Sequence, residues 1–168
     1  MTILEINMEQ LAQPEILENI LVFGMSMLPV VELKGAIPIG VLQFGLPLWT
    51  TFLIAFLGSI VPAPFLLVFI KGLIHKLQSS KVRLFNKVSN WLMGKVHKHQ
   101  DKVKKFGYLA IFIFVAIPLP GTGVWTGSLL AAMLDLRFRY AFPVIAVGNL
   151  VAGLAMLFVT HSIHGIIV

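Results

Sequence analysis

Residues 106–134 form an apolar stretch of 29 residues without a charge, and its middle reads Pro118-Leu-Pro-Gly-Thr-Gly123. A helix needs roughly 20 residues to cross a bilayer, so the stretch is too long for one crossing and too short for two. Prolines and glycines at its centre interrupt a helix. Each flank has about eleven residues, roughly 16 Å of helix, which is half the hydrocarbon thickness. The stretch therefore predicts a re-entrant hairpin, in which two half-helices enter the membrane and return to the same side.

The charge distribution supports this prediction. Ten of the thirteen Lys and Arg residues lie between Lys71 and Lys105, where Asp101 is the only acid, whereas residues 1–31 hold four Glu and no Lys or Arg. Short cytoplasmic loops collect basic residues. We therefore expect residues 71–105 and the pair Arg137 and Arg139 to lie inside, and the N-terminus to lie outside. Both ends of residues 106–134 then lie on one side.

A second stretch, residues 19–45, repeats the pattern from the opposite side. Its 27 residues are again too few for two crossings, and the sequence from Pro29 to Pro38 is expected to interrupt the helix. Leu48–Ile70 and Tyr140–Thr160 are each long enough for one crossing. Two prolines near the middle of the first segment are expected to weaken its helix there. The order of hairpin, span, basic loop, hairpin and span predicts an inverted repeat, as in many secondary transporters. The two halves share negligible sequence identity, so the repeat rests on hydropathy and topology.

We therefore predict an all-α, polytopic integral membrane protein with two opposed re-entrant hairpins and two full transmembrane helices. Residues 1–168 would form one membrane domain, divided into residues 19–70, the basic loop 71–105 and residues 106–160. In the loop, apolar residues recur at steps of 3, 4 and 4, at Phe85, Val88, Leu92 and Val96. This spacing predicts an amphipathic helix on the cytoplasmic membrane surface. A soluble helix packed against the hairpins is the alternative.

Composition excludes several classes of function. Charged residues make up 12% of the chain, about half the share of soluble domains. With no cysteine, there can be no disulfide, zinc–thiolate site or cysteine nucleophile. No nucleophile elbow, phosphate loop or metalloprotease motif occurs, and His97 and His99 alone are weak evidence for a metal. We expect no enzymatic activity, no cofactor and no metal, and no nucleic-acid partner.

Glu32 is the first candidate for chemistry. An acid at bilayer depth costs roughly 2.5–3.5 kcal/mol and is a functional hypothesis by default. Burial favours the neutral carboxyl, so Glu32 could carry a proton. Lys34 offers a second interpretation, because a salt bridge would keep the acid ionised and purely structural. Both interpretations remain open.

The tip of the second predicted hairpin, Pro118–Gly127, is called here the second tip. It has threonine hydroxyls and glycine amides just before a predicted half-helix, Val124–Leu134. A helix N-terminus attracts anions, although small residues also allow helices to pack closely. Irregular backbone inside a membrane must be buried in protein or line a wet cavity, so the two tips are expected to meet near the midplane. The candidate substrate and proton site comprises Glu32, Lys34, Gly35, Pro38, Pro118, Pro120, Gly121, Thr122, Gly123, Thr126, Gly127, Arg137 and Asn149.

Two members of that set lie outside the tips. Arg137 follows Asp135 at the predicted cytoplasmic face, where it would anchor the helix or, alternatively, bind a phosphate headgroup. Asn149 lies midway along the last span. There it is expected to join helices by a hydrogen bond more often than to bind a ligand.

The segments Glu32-Leu-Lys-Gly-Ala-Ile-Pro38 and Pro118-Leu-Pro-Gly-Thr-Gly-Val-Trp-Thr-Gly127 resemble the family called putative small multidrug export protein. That family resembles a trimmed branch of the DedA (VTT-domain) superfamily, and the likeness runs from about Ile20 to Val159. It implies a transporter of the bacterial inner membrane with opposed re-entrant hairpins; some DedA-type proteins are implicated in flipping undecaprenyl phosphate. Glu32 would match the acid of the first hairpin. Thr122 stands near a position where DedA proteins usually carry arginine, and Lys34 would supply that charge instead.

These observations predict a small, proton-coupled transporter that exposes a midplane site alternately to either side. Glu32 would handle the proton, while Lys34 and the amides around Thr122 would engage an anionic or amphipathic substrate, either a lipid phosphate or a drug-like molecule. We expect contact with membrane lipids and a homodimer. The alternative is a non-transporting scaffold or assembly factor in which the hairpins only pack.

Overall fold

The computed structural model describes residues 14–78, 100–119 and 121–167, and every regular element in these ranges is helical. This confirms the all-α prediction for the described part of the chain. The predicted helix around residues 85–96, together with His97, His99 and Pro120, lies outside it. The elements are α1 (Pro14–Met27), α2 (Glu32–Pro38), a π-helical turn (Ile39–Gln43), α3 (Leu48–Ile60), α4 (Pro62–Gln78), α5 (Gln100–Ala116), α6 (Val124–Met133) and α7 (Phe138–Ile167).

In the described part of the chain, two helical segments are long and apolar enough to cross a membrane, Leu48–Ile70 with 23 residues and Phe138–Ile163 with 26. The first joins α3 to α4 through one turn at Val61, whose N–H donates to the Gly58 carbonyl at 3.3 Å. That tighter bond precedes Pro62, which has no N–H to donate. Large apolar side chains such as Phe65 and Phe158 are about 70% exposed, as expected of surfaces that face lipid.

The second interruption lies where the sequence predicts it, because α5 ends at Ala116 and α6 begins at Val124. The first interruption is shorter than predicted. It spans only residues 28–31, and the helix resumes at Glu32. Pro38 does not end the helical segment, since the chain widens into the π-helical turn, where the Phe44 N–H donates to the Ile39 carbonyl at 3.3 Å. Proline removes one helical hydrogen bond, and the segment tolerates that loss here.

The chain divides into two compact units, Met1–Val61 with Leu150–Val168, and Pro62–Asn149. Both boundaries fall within the long apolar segments. The core of the first unit is formed by Val22, Leu33, Ala36, Ile37, Leu46, Phe52 and Ala55. The core of the second is formed by Ala63, Leu67, Ile111, Val115, Val124, Ala131, Leu136, Ala141 and Ile145. The single membrane domain with its three predicted segments stays a prediction, as do the re-entrant arrangement and the inverted repeat.

Candidate functional site

Glu32 is a buried acid at a helix break. The residue is 5% exposed and has a positive φ of 47°, a left-handed conformation that costs most L-residues about 1–2 kcal/mol. Its N–H donates to the Leu28 carbonyl at 3.0 Å, so this hydrogen bond closes the turn between α1 and α2. Glycine usually takes this position. Residues held in disfavoured backbone conformations cluster at functional sites, which makes Glu32 the strongest candidate in the first unit.

Lys34 is the countercharge of Glu32. Its Nζ lies 3.9 Å from Glu32 Oε2, and the two side chains are 13% and 7% exposed. Residues two apart on a regular helix do not face each other. The left-handed conformation at Glu32 redirects its side chain and permits this approach. The distance exceeds the 2.7–2.9 Å that is typical of a charge-assisted hydrogen bond. The two charges therefore compensate each other without the close contact of a tight ion pair.

Two predicted residues beside this pair shape the backbone. The Gly35 N–H donates to the Val31 carbonyl at 2.9 Å, and a Cβ at Gly35 would lie 2.8 Å from Val31 Cγ1. A small residue is therefore needed one turn beyond the break. Pro38 ends α2 and precedes the π-helical turn. Between the two charged residues, Leu33 packs against Gly153 of α7, where an added Cβ would lie 2.5 Å from Leu33 Cδ1. This close contact helps to position the helix that carries the charged pair.

The threonines of the second tip bind their own loop. Thr122 Oγ1 lies 2.7 Å from the Ile117 carbonyl and 2.8 Å from that of Leu119, to which its single proton can donate. Thr126 Oγ1 donates to the Gly121 carbonyl at 2.8 Å. Gly121 itself has a φ of 81°, which glycine adopts without steric cost. The hydroxyls that the sequence offered as ligands thus close the loop.

Among the other predicted residues of this tip, two glycines are buried and one proline is exposed on the surface. Gly127 is buried, and an added Cβ would collide with Val115 Cγ2 of α5, so its role here is the close approach of α5 and α6. Its N–H donates to the carbonyl of Gly123, the buried residue that precedes α6, at 2.8 Å. Pro118 is exposed.

Arg137 and Asn149 belong to the second unit, with the second tip, whereas Glu32, Lys34, Gly35 and Pro38 belong to the first. Asn149 is fully buried within α7. Beside it, a Cβ at Gly148 would lie 3.0 Å from the Phe112 carbonyl oxygen, so α5 and α7 pack closely there. This agrees with an interhelical role for Asn149, which stays a prediction.

Tyr108 lies beside Arg137 and was not among the residues predicted from the sequence. Its hydroxyl accepts a hydrogen bond from the Arg137 N–H at 3.1 Å, and its ring meets that of Tyr140 at 6.0 Å. Tyr108 and Tyr140 are the two tyrosines of the chain, and each lies near the start of an apolar stretch. Tyrosine is enriched at membrane–water interfaces, so this placement was a usable signal.

Within the described residues, two apolar helical segments long enough to cross a membrane, with large apolar side chains exposed along them, indicate a membrane protein. Residues 32–155 match the family model described as "Putative small multi-drug export protein". The chain belongs to that family, which indicates a membrane transporter and confirms this part of the resemblance. No curated protein and no solved structure matches the chain. The relationship to the DedA superfamily stays a prediction.

Proposed function

We propose that this protein is a proton-coupled transporter of the bacterial cytoplasmic membrane, with two opposed re-entrant hairpins, DedA-like and acting as a homodimer. The observation that carries the proposal is Glu32, an acid that is 5% exposed, sits in a strained conformation and lies 3.9 Å from a lysine. The family description supports transport of drug-like molecules. The proposal includes no catalytic step and no cofactor.

The coupling follows from the charges. An ionised Glu32 compensates the positive charge of Lys34, whereas a protonated Glu32 does not. Binding of an anion near Lys34 then becomes more favourable, because a positive charge in a low-dielectric site is stabilised by a negative charge beside it. Proton binding at Glu32 and anion binding at Lys34 therefore favour each other. An amphipathic anion, such as a lipid phosphate or an acidic drug-like molecule, meets this requirement.

The re-entrant arrangement predicts which side of the membrane each limb reaches. Glu15 and Gln43 are both exposed, and they lie near the two ends of the first hairpin. Single cysteines at Glu15→Cys and Gln43→Cys should react with an impermeant maleimide from one side, and Arg139→Cys from the other. The wild-type chain has no cysteine and serves as the unlabelled control. Reaction of the first two from opposite sides would rule out a re-entrant first hairpin.

Transport itself can be measured in proteoliposomes with a pH-sensitive dye inside. With a fluorescent polyprenyl phosphate as probe in one series and an anionic amphipathic dye in the other, an imposed pH gradient should drive probe movement. Proton movement should occur only when a probe is present. Probe and proton movement at the rate of protein-free vesicles for both probes would contradict the proposal.

A second candidate function, a non-transporting scaffold or assembly factor, is favoured by one set of contacts. The hydroxyls of Thr122 and Thr126 bind carbonyls of their own loop, and Gly127 packs against Val115. A tip that satisfies its own polar groups can serve packing alone. The Glu32 substitution described in the Discussion separates the two functions.

A further inference from the structure

A basic and aromatic cluster surrounds the connection between α6 and α7; it consists of Tyr108, Arg137, Arg139 and Tyr140 and is called here the interfacial cluster. Its backbone is fixed by the way α6 ends. Asp135 has a φ of 52°, and its N–H donates to the Ala132 carbonyl at 3.1 Å. The Leu136 N–H donates to the Ala131 carbonyl at 2.9 Å, and the Leu136 side chain is fully buried. These bonds form a Schellman motif, which leaves little freedom in the connection.

Both backbone polar groups of Arg137, its N–H and its carbonyl, form hydrogen bonds. Its N–H donates to the Tyr108 hydroxyl at 3.1 Å, and its carbonyl accepts from the N–H groups of Tyr140 and Ala141 at 3.0 and 2.9 Å. Yet Arg137 is exposed, as is Arg139. The rings of Tyr108 and Tyr140 meet edge to face at 6.0 Å. The cluster therefore presents two arginines on a backbone that is already ordered, so binding costs less conformational entropy.

The cluster lies at one end of an apolar span. The segment long enough to cross a membrane begins at Phe138, directly after Arg137. Arginine and tyrosine at such an end lie at the level of lipid headgroups. The stacked rings of Phe138 and Phe142, 5.7 Å apart, belong to the first turns of the same span. Their apolar surface suits acyl chains.

We propose that the interfacial cluster binds the phosphate of an anionic phospholipid, with Arg137 and Arg139 as its partners and the Tyr140 hydroxyl as an additional donor. Residues 135–139 carry one negative charge at Asp135 and two positive charges, a net charge of +1. This matches a phosphodiester with one negative charge. Arginine pairs with phosphate oxygens in bidentate geometry. The cluster belongs to the second unit and Glu32 to the first, and the lipid site does not depend on the proposed transport.

Native mass spectrometry of the purified full chain tests this. Phosphatidylglycerol should bind more tightly than phosphatidylcholine, and the double substitution Arg137→Ala/Arg139→Ala should weaken its binding by about thirtyfold, since each of the two basic residues near anionic lipid contributes on the order of 1 kcal/mol. Tyr108→Phe should weaken it by a few fold, because the Arg137 N–H loses its acceptor. His161→Ala, an exposed position near the far end of α7, is the control and should bind as the wild type does.

Three results would overturn the proposal. The wild-type chain could bind phosphatidylcholine as well as phosphatidylglycerol, and this comparison decides the matter even if the double variant fails to fold. Millimolar inorganic phosphate could displace the lipid, which would make this a site for free phosphate. The double variant, if folded, could retain full binding. Unchanged binding in Tyr108→Phe would overturn the claim that Tyr108 positions Arg137.

Discussion

Glu32→Gln is expected to reduce proton-coupled transport to the rate of protein-free vesicles while the protein remains folded. Glutamine keeps the shape of the side chain, but its neutral amide has no titratable group that could carry a proton. It also removes the countercharge 3.9 Å from Lys34, so we expect a loss of stability of about 1–3 kcal/mol. The measurements are proton and probe movement in proteoliposomes, with thermal unfolding in detergent beside them.

The control for Glu32→Gln is the double substitution Glu32→Gln/Lys34→Gln. It removes both charges, so no lone charge stays buried, and stability should return towards that of the wild type. Transport should remain absent. A double variant as active as the wild type would show that the pair is only structural and that transport does not depend on it, whereas absence of probe movement in the wild type as well would favour the scaffold. Retained proton coupling in Glu32→Gln would exclude Glu32 as the proton carrier.

Gly58→Ala is expected to destabilise the first unit by about 3 kcal/mol or more, because the added methyl group has no space. A Cβ at Gly58 would collide with Ser26 Oγ and would lie 2.5 Å from the Phe23 carbonyl oxygen. Ser26 Oγ donates to the same carbonyl at 2.7 Å, so the backbone of α1 would have to move away from α3. The measurement is thermal or SDS-induced unfolding of the purified protein.

Gly24→Ala provides the matched control, since Gly24 also lies within a helix and an added Cβ would meet nothing within 4 Å. Alanine should stabilise that helix by roughly 0.5–1 kcal/mol, because it has the higher helix propensity. The same Gly→Ala substitution should therefore lower the stability of the protein at position 58 and raise it at position 24. Equal effects at both positions would contradict the close approach of α1 and α3.

The sequence predicts the second interruption well and the first one poorly, for a physical reason. Between Ala116 and Val124, prolines and glycines act on the local backbone, and local rules suffice. At Pro38 the same local rules predict an interruption, but packing of Leu33 and Ile37 in the core keeps the segment helical. Burial of neighbouring side chains outweighs the hydrogen bond that proline removes.

The candidate site shows the same limit. The sequence left the pairing of Glu32 and Lys34 open, because residues two apart do not face each other on a regular helix. The left-handed conformation at Glu32 that permits their approach could not be predicted. The hydrogen bonds of Thr122 and Thr126 depend on the closed shape of their loop. The bond between Tyr108 and the Arg137 N–H joins residues 29 positions apart, and only tertiary structure brings them together. Residue types were predictable, whereas their partners were not.

The π-helical turn after Pro38 has a consequence for how the chain tolerates changes in length. Such a turn holds one residue more than an α-helical turn. Removing a single residue between Ile39 and Gln43 would convert it into ordinary α-helix without altering the orientation of Glu32 relative to the residues that follow the turn. The same deletion within a regular α-helix would rotate all that follows in that helix by about 100°. A one-residue deletion should therefore be tolerated better in this turn than within α1 or α3.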